Sequence, residues 1–143
     1  MIAVDANLLI YAGNRSAVEH ERARSWLDER LSGPVRVGLP WPSLVAFLRI
    51  LTNPAAMRRP LTPAAAWAQV QEWLGSEAAW VPVPGDRHAE ILGELLAAPL
   101  ITSRLVGDAH LAALVIEHGL TLCSTDGDFA KFPRLKWENP LIA

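Results

Sequence analysis

The chain reads as an α/β protein with a mostly parallel sheet between helical layers. Short apolar runs at residues 2–4, 35–39, 79–83 and 120–124 have the composition and abrupt polar boundaries of buried strands. The stretches between them carry apolar residues at helical spacing, so strand and helix alternate, which implies right-handed βαβ crossovers. A length of 143 residues, 51% hydrophobic and 20% charged, suits one domain over residues 1–143 with a substantial core.

The first strand is Ile2-Ala3-Val4, and Asp5 stands at its carboxyl end as the only charge in the first twelve positions. In open α/β sheets that edge is where ligands gather, so Asp5 is a candidate metal ligand. A capping role for the turn that begins at Ala6 is the structural alternative. Glu19–Leu31 forms an amphipathic helix with Ala23, Trp26, Leu27 and Leu31 on one side, stopped by Ser32-Gly33-Pro34. His20-Glu21 does not begin a zinc-protease motif, because Arg24 stands where the second His is required.

Val35–Leu39 is the second strand, and Pro42 with Ser43 opens a helix over Leu44–Leu51. Thr52–Pro63 holds three prolines and the pair Arg58-Arg59, so it is a surface loop with two exposed cations. Thr62-Pro63 starts the next helix, lined by Trp67, Val70, Trp73 and Leu74. Six tryptophans exceed what a chain of this size readily buries, which leaves a Trp-bearing helix as an anchor for a partner. Strand Ala79–Val83, helix Asp86–Ala97, helix Leu105–His118 capped by Gly119, strand Leu120–Ser124, a turn or short helix at Asp126–Phe132 and an extended piece at Lys136–Leu141 complete the alternation.

Composition narrows the function. A net charge of -2 and a pI near 6.1 exclude a protein that grips nucleic acid mainly through a basic surface. Eleven of the thirteen cations are Arg, whose planar fork suits phosphate, so such contacts are local, with Arg49, Arg58, Arg59 and Arg104 as candidates. Cys123 is the only cysteine, which rules out an intramolecular disulfide and reads as a buried, inert thiol. The opening apolar run is too short to span a bilayer and no signal-like segment precedes it, so a cytoplasmic protein is expected.

Three further acids share the position of Asp5. Asp108 opens the helix DAHLAALVIEHG, where the dipole favours an acid, and Asp126 and Asp128 follow the strand LTLCS in a turn. If the strands are parallel, Asp5, Asp126 and Asp128 leave the sheet by one edge, and the helix that Asp108 opens begins there too. Crowded carboxylates need a cation, and oxygen ligands without His or Cys select Mg²⁺, with Mn²⁺ as the alternative. Such an ion activates water for phosphodiester hydrolysis. His110 and His118 stay outside this chemistry, eight residues apart on a helix whose C-terminal dipole accounts for His118.

VDANLLIYA, LRILTNP, GDAHLAALVIEHG and STDGDFAKFPRLKWENPL, in that order over nearly the whole chain, resemble the PIN-domain ribonucleases. Within them the likeness is to VapC toxins of VapBC toxin-antitoxin pairs, in the mycobacterial-type subgroup. The resemblance implies a three-layer α/β/α sandwich, Mg²⁺-dependent cleavage of structured RNA such as tRNA or rRNA, a homodimer, and neutralisation by a VapB-type antitoxin. It also implies that Asp5, Asp108 and Asp126 are metal-site acids, with Asp128 as an accessory catalytic acid. One position departs: the Glu usual just before a Phe-Leu-Arg-like segment is Ala46 here, and Glu138 has no motif match. Two classes of function therefore stand, an endoribonuclease toxin and a catalytically weak or inactive PIN-fold binding module. A receiver domain would need an acidic pair after the first strand, and an Asp-x-Asp phosphatase fails because Asn7 follows Asp5.

Overall fold

A computed structural model describes residues Met1–Ile142. Its five strands are β1 (Ile2–Val4), β2 (Val37–Gly38), β3 (Ala79–Trp80), β4 (Thr121–Cys123) and β5 (Trp137–Glu138), in the order β3-β2-β1-β4-β5. Every pairing is parallel, with Ala3 opposite Gly38 on one side and Leu122 on the other. The parallel α/β architecture expected from strand-helix alternation is therefore present. All strands point their carboxyl ends to one edge.

Helices cover both faces. On one side lie α1 (Ala6–Gly13), α2 (His20–Leu31), α3 (Trp41–Leu51) and α4 (Pro63–Leu74), whose Leu8, Leu27, Phe47 and Trp73 pack onto Ile2 and Val4. On the other lie α5 (His88–Leu96) and α6 (Val106–Glu117), whose Ile91, Ala109 and Ala112 pack against Ala3 and Leu122. Ile2 and Val4 meet one core while Ala3 meets the other, as the period-two alternation of a strand requires. Phe47 and Trp73 meet edge to face at 4.8 Å, a favoured aromatic geometry.

The structure adds one helix that the apolar run after Asp5 concealed. Asp5 is extended at φ -77° and ψ 157° and caps α1 by accepting from Ala6 N–H, so the chain turns straight from strand to helix. Gly13 lets α1 lie close to α3, because a Cβ there would come within 2.7 Å of Phe47 Cε2. α3 begins at Trp41, three residues earlier than Pro42-Ser43 suggested, with Pro42 tolerated in the first turn where no intrahelical N–H bond is lost. Gly119 takes a φ of +66° after α6, the left-handed conformation that ends helices. Among the described residues no helix is long and apolar enough to cross a membrane.

Candidate metal centre

β1 and β4 are neighbours, and the residues that follow them, Asp5 and Ser124, are joined at once. Asp5 Oδ1 accepts from Ala6 N–H at 2.8 Å; Oδ2 accepts from Ser124 Oγ at 2.7 Å and from Asn7 Nδ2 at 3.3 Å. Ser124, fully buried, in turn accepts from Asn7 Nδ2 and from the Asp126 N–H, both at 3.0 Å. Asn7 Oδ1 accepts from Thr125 N–H at 3.3 Å. Ser124 did not stand out in the sequence, and Asn7 did so only as the residue that breaks an Asp-x-Asp pair, since small polar residues beside a turn carry no spacing signal.

Asp126 caps the 3₁₀ turn Gly127–Lys131, its Oδ1 accepting from Asp128 N–H at 2.9 Å. The turn aims Asp128 back toward Asp126. Asp108 arrives from the first turn of α6, behind a second 3₁₀ turn, Ser103–Leu105. One carboxylate oxygen from each of Asp108, Asp126 and Asp128 lies within 4.8 Å of the others. Asp5 is outside that triplet but coupled to Asp108 and Asp126 through its charge, with both oxygens held by the chain's own donors.

The charges respond to this crowding. Burial, then Asp126, Asp5 and Asp128, push the Asp108 carboxyl up to about 6. Burial also raises Asp5, against the opposing hydrogen bonds from Ser124 and Ala6 and with a further push from Asp126. Asp128 moves the other way, held below the usual range first by its hydrogen bond from Arg104 and then by Lys131. Arg104 Nη1 donates to Asp128 Oδ2 at 2.8 Å, and Lys131 Nζ lies 3.2 Å from Oδ1. Among the described residues the cluster thus offers hard oxygen donors and excess negative charge, a set that could hold a metal cation.

The remaining candidates lie elsewhere. α3 brings no carboxylate, Ala46 being half-buried on it. Glu138 accepts a long contact of 3.6 Å from Cys123 Sγ. His110 shares a 3.0 Å hydrogen bond with His88 of α5, a pairing 22 residues apart that no local motif announces. His118 donates from Nε2 to Val83 O at 2.7 Å. Arg49, Arg58 and Arg59 are exposed, and Trp41 and Trp67 stack in parallel at 6.5 Å, each about two-fifths exposed.

The PIN domain family model matches residues 2–135. Ribonuclease VapC37 of Mycobacterium tuberculosis (strain ATCC 25618 / H37Rv) is 43% identical over 140 residues, covering 98% of this chain and 97% of that protein. Ribonuclease VapC33 of the same strain is 40% identical over 141 residues, with 99% of each covered. Among solved structures, VapBC2 from Rickettsia felis bound to a DNA fragment from its promoter superposes with a TM-score of 0.68 at 17% identity, over 97% of this chain and 98% of that one, a likeness of fold.

Proposed function

This chain belongs to the PIN-domain family, and from that premise we propose that it is a metal-dependent endoribonuclease toxin of the VapC kind, cleaving structured RNA and neutralised by a VapB-type antitoxin. The approach of Asp108, Asp126 and Asp128 to within 4.8 Å, in a chain whose relatives bear the name ribonuclease, carries the reading.

Those three acids, with Asp5 behind them, would hold the cation. When bound, Mg²⁺ or Mn²⁺ supplies an activated water and takes up charge that develops on the phosphate. The chain's own part is positioning. Asp5 and Ser124 tie the end of β1 to the segment after β4, the Asp126 cap folds Asp128 inward, and α6 presents Asp108 from the side. A groove of about 690 Å³, with Leu27, Leu51 and Trp73 at its base and Arg24, Arg59 and Glu72 along it, offers a partner protein both apolar and charged contacts.

The deciding experiment is cleavage of total tRNA and rRNA by purified, antitoxin-free protein. Cutting with Mg²⁺ or Mn²⁺, its loss in EDTA, and its loss on adding the cognate antitoxin are expected. Cutting that persists in EDTA would refute the metal mechanism. The absence of any carboxylate on α3, where Ala46 stands, favours a second reading, a binding module without catalysis. A folded protein that binds RNA but cuts none would establish it.

A further inference from the structure

We propose that Arg104 and Lys131 grip a backbone phosphate of the RNA at the rim of the acidic cluster, an inference that rests on the endoribonuclease reading. The two cations reach Asp128 from separate 3₁₀ turns, Ser103–Leu105 and Gly127–Lys131, and each faces a different carboxylate oxygen, at 2.8 Å and 3.2 Å. The Arg104 side chain nevertheless remains 67% exposed. Among the described residues its guanidinium donates one hydrogen bond, from Nη1, so the remaining N–H groups of this exposed fork are left to meet a second anion while Asp128 is still held.

The charge of the chain explains why such a contact is needed there. At a net charge of -2, with Asp5, Asp108, Asp126 and Asp128 on one edge, an approaching polyanion is repelled to the extent that neither a bound metal nor cations at the rim offset the acids. Arg49 lies in the last turn of α3, which runs away from that edge, and Arg58 and Arg59 lie in the loop beyond it. Arg104 and Lys131 are the cations bonded to the cluster itself among the ion pairs described.

The test is binding of total tRNA to the full chain in EDTA, across a salt series, beside Mg²⁺ titration followed by melting temperature. Arg104→Ala is expected to weaken tRNA binding about tenfold, the loss of a charge-assisted hydrogen bond. It should also flatten the slope of log affinity against log salt by about one phosphate's worth, 0.7 to 1. Lys131→Ala should flatten it similarly. Arg104→Lys should restore the slope but not the full affinity, because a point charge replaces a planar fork. Arg134→Ala, which removes a cation paired with Glu94, should leave both unchanged.

Cations that merely neutralise Asp128 give the opposite pattern: tRNA affinity and salt slope unmoved in Arg104→Ala, and Mg²⁺ binding at lower concentration because a competing charge is gone. That result overturns the phosphate contact. If wild-type protein cuts neither tRNA nor rRNA with Mg²⁺, the endoribonuclease reading fails; if it cuts normally while Arg104→Ala keeps its salt slope, only this inference fails.

Discussion

Ser124 Oγ donates to Asp5 Oδ2 at 2.7 Å, tying together residues 119 positions apart. One hydroxyl has one donor and two acceptor sites, and all three are used, the acceptors by Asn7 Nδ2 and the Asp126 N–H. Ser124→Ala leaves those donors without this partner in a buried setting, which costs about 1–3 kcal/mol. The melting temperature should fall by roughly 3–10 °C, and RNA cleavage should drop because Asp5 and Asp126 lose their common support. An unshifted melting curve would show that the hydroxyl contributes nothing to the fold.

Asp108→Asn and Asp126→Asn each remove one charge while preserving shape. Close like charges repel by about 1 kcal/mol in water-like surroundings, so metal-free stability should hold or rise. Cleavage should disappear, together with most of the rise in melting temperature that Mg²⁺ produces by binding the native state. A variant that stays active with an undiminished Mg²⁺ effect would take its acid out of the site.

At Asp5 two substitutions separate cap from charge. Asp5→Asn retains an acceptor for Ala6 N–H but turns a donor toward Ser124 Oγ and Asn7 Nδ2, so cleavage should be lost together with about 1 kcal/mol of stability. Asp5→Ala should lose cleavage and, with the cap gone as well, about 1 kcal/mol more stability than Asp5→Asn. Equal activity in wild type and Asp5→Asn would reduce Asp5 to a capping residue.

The pH dependence follows from Asp108, whose carboxyl moves from an ordinary 3.8 to about 6, chiefly through burial. A raised acid takes up protons more readily folded than unfolded, so the stability that Asp108 contributes to the metal-free protein is lost as pH climbs between about 4 and about 6. Above that window the loss is complete. His110, lowered by burial and by His88, acts in the opposite sense near its ordinary 6.5, so the signal is the difference between wild type and Asp108→Asn. That difference should widen from pH 4 to 6 without Mg²⁺ and shrink when Mg²⁺ is present. Parallel melting temperatures for the two proteins over this range would contradict it.

Cys123 supplies an independent check on β4. Burial first, then Glu138, push its thiol up to about 12, so little thiolate exists at neutral pH. The native protein should resist a thiol reagent at pH 8 and react fully in denaturant. Rapid native labelling would mean that β4 opens readily.

The sheet was legible because IAV and TLC are apolar runs with abrupt ends, and parallel strands then put Asp5, Asp126 and Asp128 on one edge. α1 was not, because Leu8, Leu9 and Ile10 continue the apolar run and erase the boundary at Asp5. Their contrast of faces exists only once α2 and α3 are packed against them. The Asp5–Ser124–Asn7 network and the Arg104–Asp128 pair were equally hidden: each joins segments that meet only after folding, and neither spacing nor composition encodes the meeting.

The position of β1 between β2 and β4 has a consequence for synthesis. A ribosome delivers Ile2–Val4 early and Thr121–Cys123 only after more than a hundred further residues, and a domain folds as a unit that has to wait for them. Until then one edge of β1 has no neighbour, Asp5 has no Ser124, and Asp126 and Asp128 are still untranslated. A nascent chain cut short before residue 121 can carry Asp5 and Asp108 but cannot assemble the four acids. Translation itself therefore keeps the cluster apart until almost the whole sheet is present, so an interrupted round of synthesis releases a fragment without it.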